Sequence, residues 1–198
     1  MRDIWYADKR DVVKWATLLH LADTNKASDI IQVAYYRPDS WPSLDVDGRA
    51  VPLSSDVLNH FRSVRNGLGT QTRFNIHVWN DEFSDRDSYT RTVASRIAEH
   101  GDRPLVVLLD PDTGLEPARP ALEHVREAEV ALVWNTLQPG DVLVLYQHQT
   151  NRNGTPWVEP KRMQLARALG VLAPTVGVAQ APKLATDVVL FFAIRGRA

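Results

Sequence analysis

The sequence predicts an α/β fold, a mostly parallel sheet covered by helices on both faces, and two observations carry that prediction. Strand-like and helix-like hydrophobic periods alternate from residue 29 to residue 170, the order that βα units and a parallel sheet require. Leu105–Leu109 and Val142–Tyr146 are apolar throughout, which suits strands covered on both sides.

The elements follow in order. Val12, Val13, Trp15, Ala16, Leu18, Leu19 and Ala22 recur at helical spacing over roughly Lys9–Asp23. Ile30–Tyr36 is β-branched and aromatic and reads as a buried strand. Residues 37–52 hold three prolines and Gly48, the composition of a long loop or small hairpin insertion. Ser54 or Ser55 can cap a helix carrying Val57, Leu58, Phe61, Val64 and Leu68. Phe74–Trp79 alternates as a strand does, and Asp85–His100 places Tyr89, Val93 and Ile97 on one helical stripe.

After Leu105–Leu109, Ala121–Gln138 reads as a helix with Leu122, Val125, Ala128, Leu132 and Val133 inward, stopped by Pro139-Gly140. Pro160 suits the first position of a helix that ends near Gly170. Val176–Ala179 and Val188–Ile194 close the chain with no helix between them, so they are expected to pair antiparallel at an edge. The whole reads as one domain, residues 1–198, a Rossmann-like three-layer sandwich.

Composition narrows the function classes. A net charge of −1 over 198 residues gives no global drive toward phosphate or a membrane. The chain has no cysteine, which removes disulfide scaffolds, thiolate metal sites and cysteine nucleophiles. No apolar run is long enough to span a bilayer, and no signal-peptide pattern opens the chain; the expectation is a cytoplasmic protein. Gly-rich phosphate loops, paired-histidine zinc motifs and the Gly-x-Ser-x-Gly elbow are all missing.

In open α/β sheets, ligands bind beyond the carboxyl ends of the strands. That rule selects Asp110-Pro111-Asp112-Thr113-Gly114-Leu115-Glu116-Pro117, where a buried strand ends on a carboxylate and two more follow. Such a cluster can hold a divalent cation, accept hydrogen bonds from an amine or act as a base; it is also compatible with an ordinary turn capped by Asp110. The second candidate is Gln147-His148-Gln149-Thr150-Asn151-Arg152-Asn153-Gly154, followed by Lys161 and Arg162. His148, Gln149, Arg152 and Lys161 are its candidate substrate-binding residues, with Arg152, Lys161 and Arg162 able to add positive charge for a phosphate backbone; an ordinary polar β-to-α loop accounts for the segment equally well. Asp8, Lys9, Arg10, Asp11 and Lys14 form a charged cluster on the first helix, for which surface ion pairing is the plain account.

Three segments resemble class I methyltransferases of the Asp-Pro-Pro-Tyr type, in particular bacterial enzymes that methylate an adenine of large-subunit ribosomal RNA. Leu105–Leu109 with Asp110-Pro111 resembles their fourth strand and catalytic loop, and Leu137–Leu145 resembles their Leu-Lys-Pro-Gly-Gly passage into a strand. Asp11-Val12-Val13-Lys14-Trp15 resembles their Asp-Val-Leu-Lys-His stretch. The resemblance implies S-adenosylmethionine as cofactor, held near Asp11, Lys14, Tyr35 and Arg37. It implies that Asp110 and the Pro111 carbonyl, with Asp112 beside them, accept hydrogens from the amine of a nucleic-acid base. The chain departs from that family where Tyr35-Tyr36-Arg37-Pro38 replaces a Gly-rich turn, and where Asp112 and Thr113 replace Pro and Tyr. Two alternatives stay open: a hydrolase or nuclease holding Mg or Mn on Asp110, Asp112 and Glu116, and a non-catalytic binding protein on a degenerate fold of this kind.

Overall fold

The computed structural model describes residues 8–38, 43–54, 72–149 and 154–196, together with residues 2, 57 and 151. The chain enters through α1 (Lys9–Asn25), whose first turn is capped by the Asp8 side chain accepting from the Arg10 and Asp11 amides. Lys26, at φ 56°, ends the helix in the left-handed region, and β1 (Asp29–Val33) follows, buried at all five positions. A hairpin of β2 (Leu44–Val46) and β3 (Arg49–Val51) occupies the predicted insertion. Its turn residues Asp47 and Gly48 both have positive φ, 53° and 78°, the pattern of a two-residue hairpin turn that matches strand twist. The helix expected after Ser54 lies outside the described residues apart from Val57.

β4 (Asn75–Trp79), α2 (Arg86–Glu99) and β5 (Leu105–Leu109) come next. Two short strands, β6 (Gly114–Leu115) and β7 (His124–Val125), precede α3 (Glu127–Thr136), β8 (Val142–His148) and α4 (Val158–Leu169). A short 3-10 turn at Ala173–Thr175 leads to β9 (Gly177–Ala181) and β10 (Ala185–Ile194).

The main sheet has the order β4-β1-β5-β8-β10-β9. β1 pairs in parallel with β4 and β5, and β5 in parallel with β8. β10 runs antiparallel to both β8 and β9. The fold is therefore Rossmann-like α/β, mostly parallel with antiparallel pairing toward one edge, as the periodicities predict. Strand alternation divides the core. Ile30, Val106, Leu108, Val142 and Val144 pack against Val13, Leu18, Leu21 and Ala22 of α1. Ile31, Val33, Val107, Leu109, Leu143 and Leu145 pack on the opposite face against Val93 and Ile97 of α2, Val130 and Val133 of α3, and Leu165 and Leu169 of α4. None of the described helices is long and apolar enough to cross a membrane.

Two helix boundaries differ from the sequence reading. Residues 121–126 are not helical: they form a turn and β7, which pairs in parallel with β6. The helix begins only at Glu127, where the Glu129 carboxylate accepts from the Arg126 amide at 2.9 Å and secures the first turn. As a result Leu122 and Leu132 are 47% and 40% exposed, and the inward face of α3 is Glu129, Val130, Val133 and Trp134. α4 starts two residues before Pro160; proline is tolerated within a first turn because those amides have no partner inside the helix.

Candidate functional site

Asp110 leaves β5 at the carboxyl end of the sheet, its amide donating to the Val33 carbonyl of β1 at 3.0 Å. Its Oδ2 accepts from Lys14 Nζ at 2.8 Å and from Gln32 Nε2 at 2.6 Å. Lys14 Nζ also donates to Asp11 Oδ1 at 2.6 Å. Helical spacing of three puts Asp11 and Lys14 on one face of α1, and that face lies on the sheet. Asp11, Lys14, Gln32 and Asp110 are 6%, 3%, 0% and 2% exposed. The surface-pair account of Asp11 and Lys14 is thereby corrected: this is a buried ion cluster. Burial pushes the Lys14 ammonium toward neutrality, but Asp110 and Asp11 more than offset it and hold its pKa above the ordinary lysine value. Burial, reinforced by the charge on Asp110, pushes the nearby Tyr146 phenol up and keeps it neutral.

Around this cluster lies a cavity of about 290 Å³, lined on one side by Asp8, Arg10, Asp11 and Lys14 and on the other by residues 110–113, Tyr146 and His148. Lys14 Nζ sits 5.2 Å from the centre of the Tyr146 ring. At the mouth, Arg10 grips Asp187 through Nε and Nη2, 3.1 and 2.5 Å from Oδ2, and also pairs with Asp8. His148 Nε2 stands 3.3 Å from the same Asp187 oxygen. Hydrogen bonding to Arg10 holds the Asp187 carboxyl below its usual value.

The loop after β5 is fixed from β8. Gln147, fully buried, accepts from the Leu115 amide at 2.9 Å and donates to the Thr113 carbonyl at 3.0 Å. The His148 amide donates to the same Thr113 carbonyl at 2.9 Å. Gly114, at φ +108°, makes this approach possible, since a Cβ there would come within 2.5 Å of the Gln147 side chain.

Of the residues singled out in the sequence, the cavity brings together Asp11, Lys14, Asp110, Pro111, Asp112 and His148. Arg37 reaches its edge by pairing with Asp112. Burial pushes the Asp112 carboxyl up, but cationic neighbours, Arg37 among them, more than offset this and hold it below the usual range.

Others are placed elsewhere. Tyr35 is 2% exposed and packs with Phe83 and Tyr89, ring centres 5.1 and 5.3 Å away. Its backbone turns through φ 45° without glycine, and the ring lies in the hydrophobic core away from the cavity lining. Lys161 cannot serve a phosphate backbone: its Nζ donates to the Leu115 and Glu116 carbonyls at 2.9 and 3.0 Å and to Gln164. Burial lowers its pKa as well. Gln149 joins the β10 side through its amide, 2.7 Å from the Asp187 carbonyl. Arg152 lies outside the described residues.

The three-carboxylate metal site is also corrected. Asp110 is tied to Lys14 and Gln32, Asp112 to Arg37, and Glu116 Oε1 accepts from the Glu127 amide at 2.8 Å, capping α3. Each carboxylate answers a different element, so the three do not converge. Among the described residues, the one group of three ligand-type side chains close enough to hold an ion is Asp29, His77 and His100, at the other end of β1. The sequence reading missed Gln32, Tyr146 and Asp187. Gln32 carried a signal, a lone amide inside an otherwise apolar stretch of strand; Asp187 carried none.

No protein-family model matches the sequence, and no curated protein does. Among solved structures, the chain is similar to a candidate methyltransferase from Thermobifida fusca YX, with 14% identity and a TM-score of 0.41, over 96% of this chain and 80% of that one. It is also similar to an O-methyltransferase family protein from Burkholderia thailandensis, with 12% identity and a TM-score of 0.41, over 96% of this chain and 59% of that one.

Proposed function

We propose that this chain binds S-adenosylmethionine in the cavity at the ends of β5 and β8, and that it methylates an amine. The observation carrying this reading is the charge of the lining. Along the lining four carboxylates, Asp8, Asp11, Asp110 and Asp112, stand against the cations Arg10 and Lys14 in a concave, partly desolvated space, with Arg37 and Arg2 reaching Asp112 from outside the lining. Carboxylates that outnumber cations along the lining favour a positive group, and the Tyr146 ring adds a face suited to one. These residues fit the sulfonium and ammonium end of the cofactor. Bound there, the cofactor supplies an electrophilic methyl group on a positively charged sulfur.

The chain's own residues orient the acceptor. An ionised carboxylate offers about four acceptor positions, and Lys14 and Gln32 occupy two on Asp110. Asp110 and the Pro111 carbonyl receive hydrogens of the acceptor amine and align its lone pair, which is catalysis by positioning. The acceptor class is the exocyclic amine of a nucleic-acid base, supported by the Asp110-Pro111 resemblance alone.

Calorimetry with S-adenosylmethionine tests the first half. Binding is expected, with the uncharged product S-adenosylhomocysteine binding less tightly and Asp8→Asn weakening the cofactor more than the product. No binding at about 1 mM cofactor, roughly −4 kcal/mol, by folded protein overturns the reading. Methyl transfer to DNA and RNA oligonucleotides tests the second half. Asp110→Asn is expected to abolish transfer and leave cofactor binding largely intact; binding without transfer to any base removes the acceptor assignment.

A further inference from the structure

We infer that Asp29, His77 and His100 form a binding site for a borderline divalent transition ion, Zn²⁺ in the first instance, at the amino end of the sheet. Asp29 opens β1, His77 lies within β4, and His100 is the residue on which α2 ends. The strand register that pairs Asp29 with Asn75 and Ile31 with His77 puts the carboxylate and the imidazole on one face, since residues two apart share a side. α2 delivers the third ligand to that face.

The distances suit one ion. His77 Nε2 is 2.8 Å and His100 Nε2 is 3.5 Å from Asp29 Oδ1, and one ligand atom from each residue falls within 4.8 Å of the others. With metal–ligand bonds of about 2.0–2.1 Å, tetrahedral ligand atoms stand roughly 3.3 Å apart. The two rings meet edge to face, centres 5.2 Å apart and planes at 76°; they converge without stacking.

Two further features favour an ion over a simple hydrogen-bonded pair. His100 Nε2 is buried and has no hydrogen-bond partner among the described residues. A buried polar atom in that condition is unfavourable, and a bound ion is one recognised remedy. Asp29 is also held from behind, its Oδ2 accepting from Ser28 Oγ at 2.5 Å and from Asn75 Nδ2 at 3.4 Å. That support leaves Oδ1 toward the histidines, the kind of outer-shell bonding that orients metal ligands.

Ligand type selects the ion. Two imidazoles and one carboxylate suit Zn²⁺ and its neighbours, whereas Mg²⁺ and Ca²⁺ prefer all-oxygen surroundings. The His77 side chain is 39% exposed, so a fourth position remains open to water or an exogenous ligand.

The experiment uses the full, tag-free chain after chelator treatment. Zn²⁺ is expected to bind one per chain and raise the melting temperature by mass action, while Mg²⁺ does neither. Co²⁺ is expected to give the intense visible bands of a four-coordinate site. His77→Gln, at a half-exposed position, is expected to fold normally and weaken Zn²⁺ binding about a hundredfold, the upper end of what losing even an outer-shell partner costs. The inference is overturned if the wild-type protein binds no Zn²⁺ and gives no such Co²⁺ spectrum, or if both signals survive in His77→Gln/His100→Gln. The wild-type measurements decide the matter even where a variant fails to fold.

Discussion

Gln32 donates its side-chain amide to Asp110 at 2.6 Å, so a residue inside β1 fixes the carboxylate that follows β5. Lys14, from the helix above, holds the same oxygen. The carboxyl end of the sheet is thus locked from α1, β1 and the end of β5, by side chains none of which is exposed enough for water to substitute.

That lock has a measurable strength. Lys14→Met leaves two carboxylates buried beside each other without their cation. Breaking a buried pair from one side costs about 3–5 kcal/mol, and urea unfolding is expected to show a loss of that size. Gln32→Leu removes one donor and is expected to cost about 1–3 kcal/mol. Lys14→Met combined with Asp110→Asn is expected to recover part of the loss, because the two share one interaction. A near-neutral Lys14→Met contradicts the network.

The Arg10–Asp187 pair governs part of the acid limb. The Asp187 carboxyl titrates below its ordinary 3.8 in the folded protein because of Arg10. The unfolded chain therefore takes up the proton first as pH falls. The pair's contribution is present above pH 3.8 and is lost as pH drops through the lower folded value. Melting temperatures measured from neutral pH downward are expected to fall less steeply for Asp187→Asn than for the wild type in that acid window, and to converge with it at the bottom. Identical acid limbs contradict this.

Gly114→Ala tests the clamp between the catalytic-loop candidate and β8. The added methyl meets Gln147 at a φ of +108°, so strain and overlap combine in a destabilisation of about 2 kcal/mol or more. Gln147→Ala in the same chain relieves the overlap but not the backbone strain. The double variant is expected to be less impaired than the sum of the two singles.

Divergence of Asp110, Asp112 and Glu116 has its own consequence. Mg²⁺ and Ca²⁺ at millimolar concentration are expected to leave the melting temperature unchanged, in the wild type and in Asp112→Asn alike. A rise that disappears in Asp112→Asn shows that the three carboxylates gather around an ion after all.

Much of the fold was legible because it rests on local period. Leu105–Leu109 and Val142–Tyr146 read as buried parallel strands, and they are. The start of α3 was not legible, because whether 121–126 coil or pair depends on a partner that helical or strand period does not encode: β7 exists only where β6, ten residues earlier, lies beside it. The site was legible in its carboxylate, since a strand ending on Asp110 must place it at the sheet rim. Its partners were legible only in part. Asp11 and Lys14 have the right spacing, but spacing cannot tell a face turned to water from one turned to the sheet. Lys161 shows the opposite error, a charge that looks free in sequence and is consumed by two backbone carbonyls in space.

β10 lies between β8 and β9, and among the described residues β9 has no other neighbour in the sheet. On a ribosome, β9 emerges before the strand it must pair with. Until residues 185–194 have cleared the exit tunnel, β9 has an unsatisfied backbone on both sides and β8 has an open flank. The nascent protein therefore passes through an interval in which its central sheet ends in a bare, apolar edge, the kind of surface that recruits other chains. Premature termination before β10 would prolong that interval indefinitely, and such products are expected to aggregate or engage chaperones although the residues lining the cavity, Asp8 to His148, have already been made.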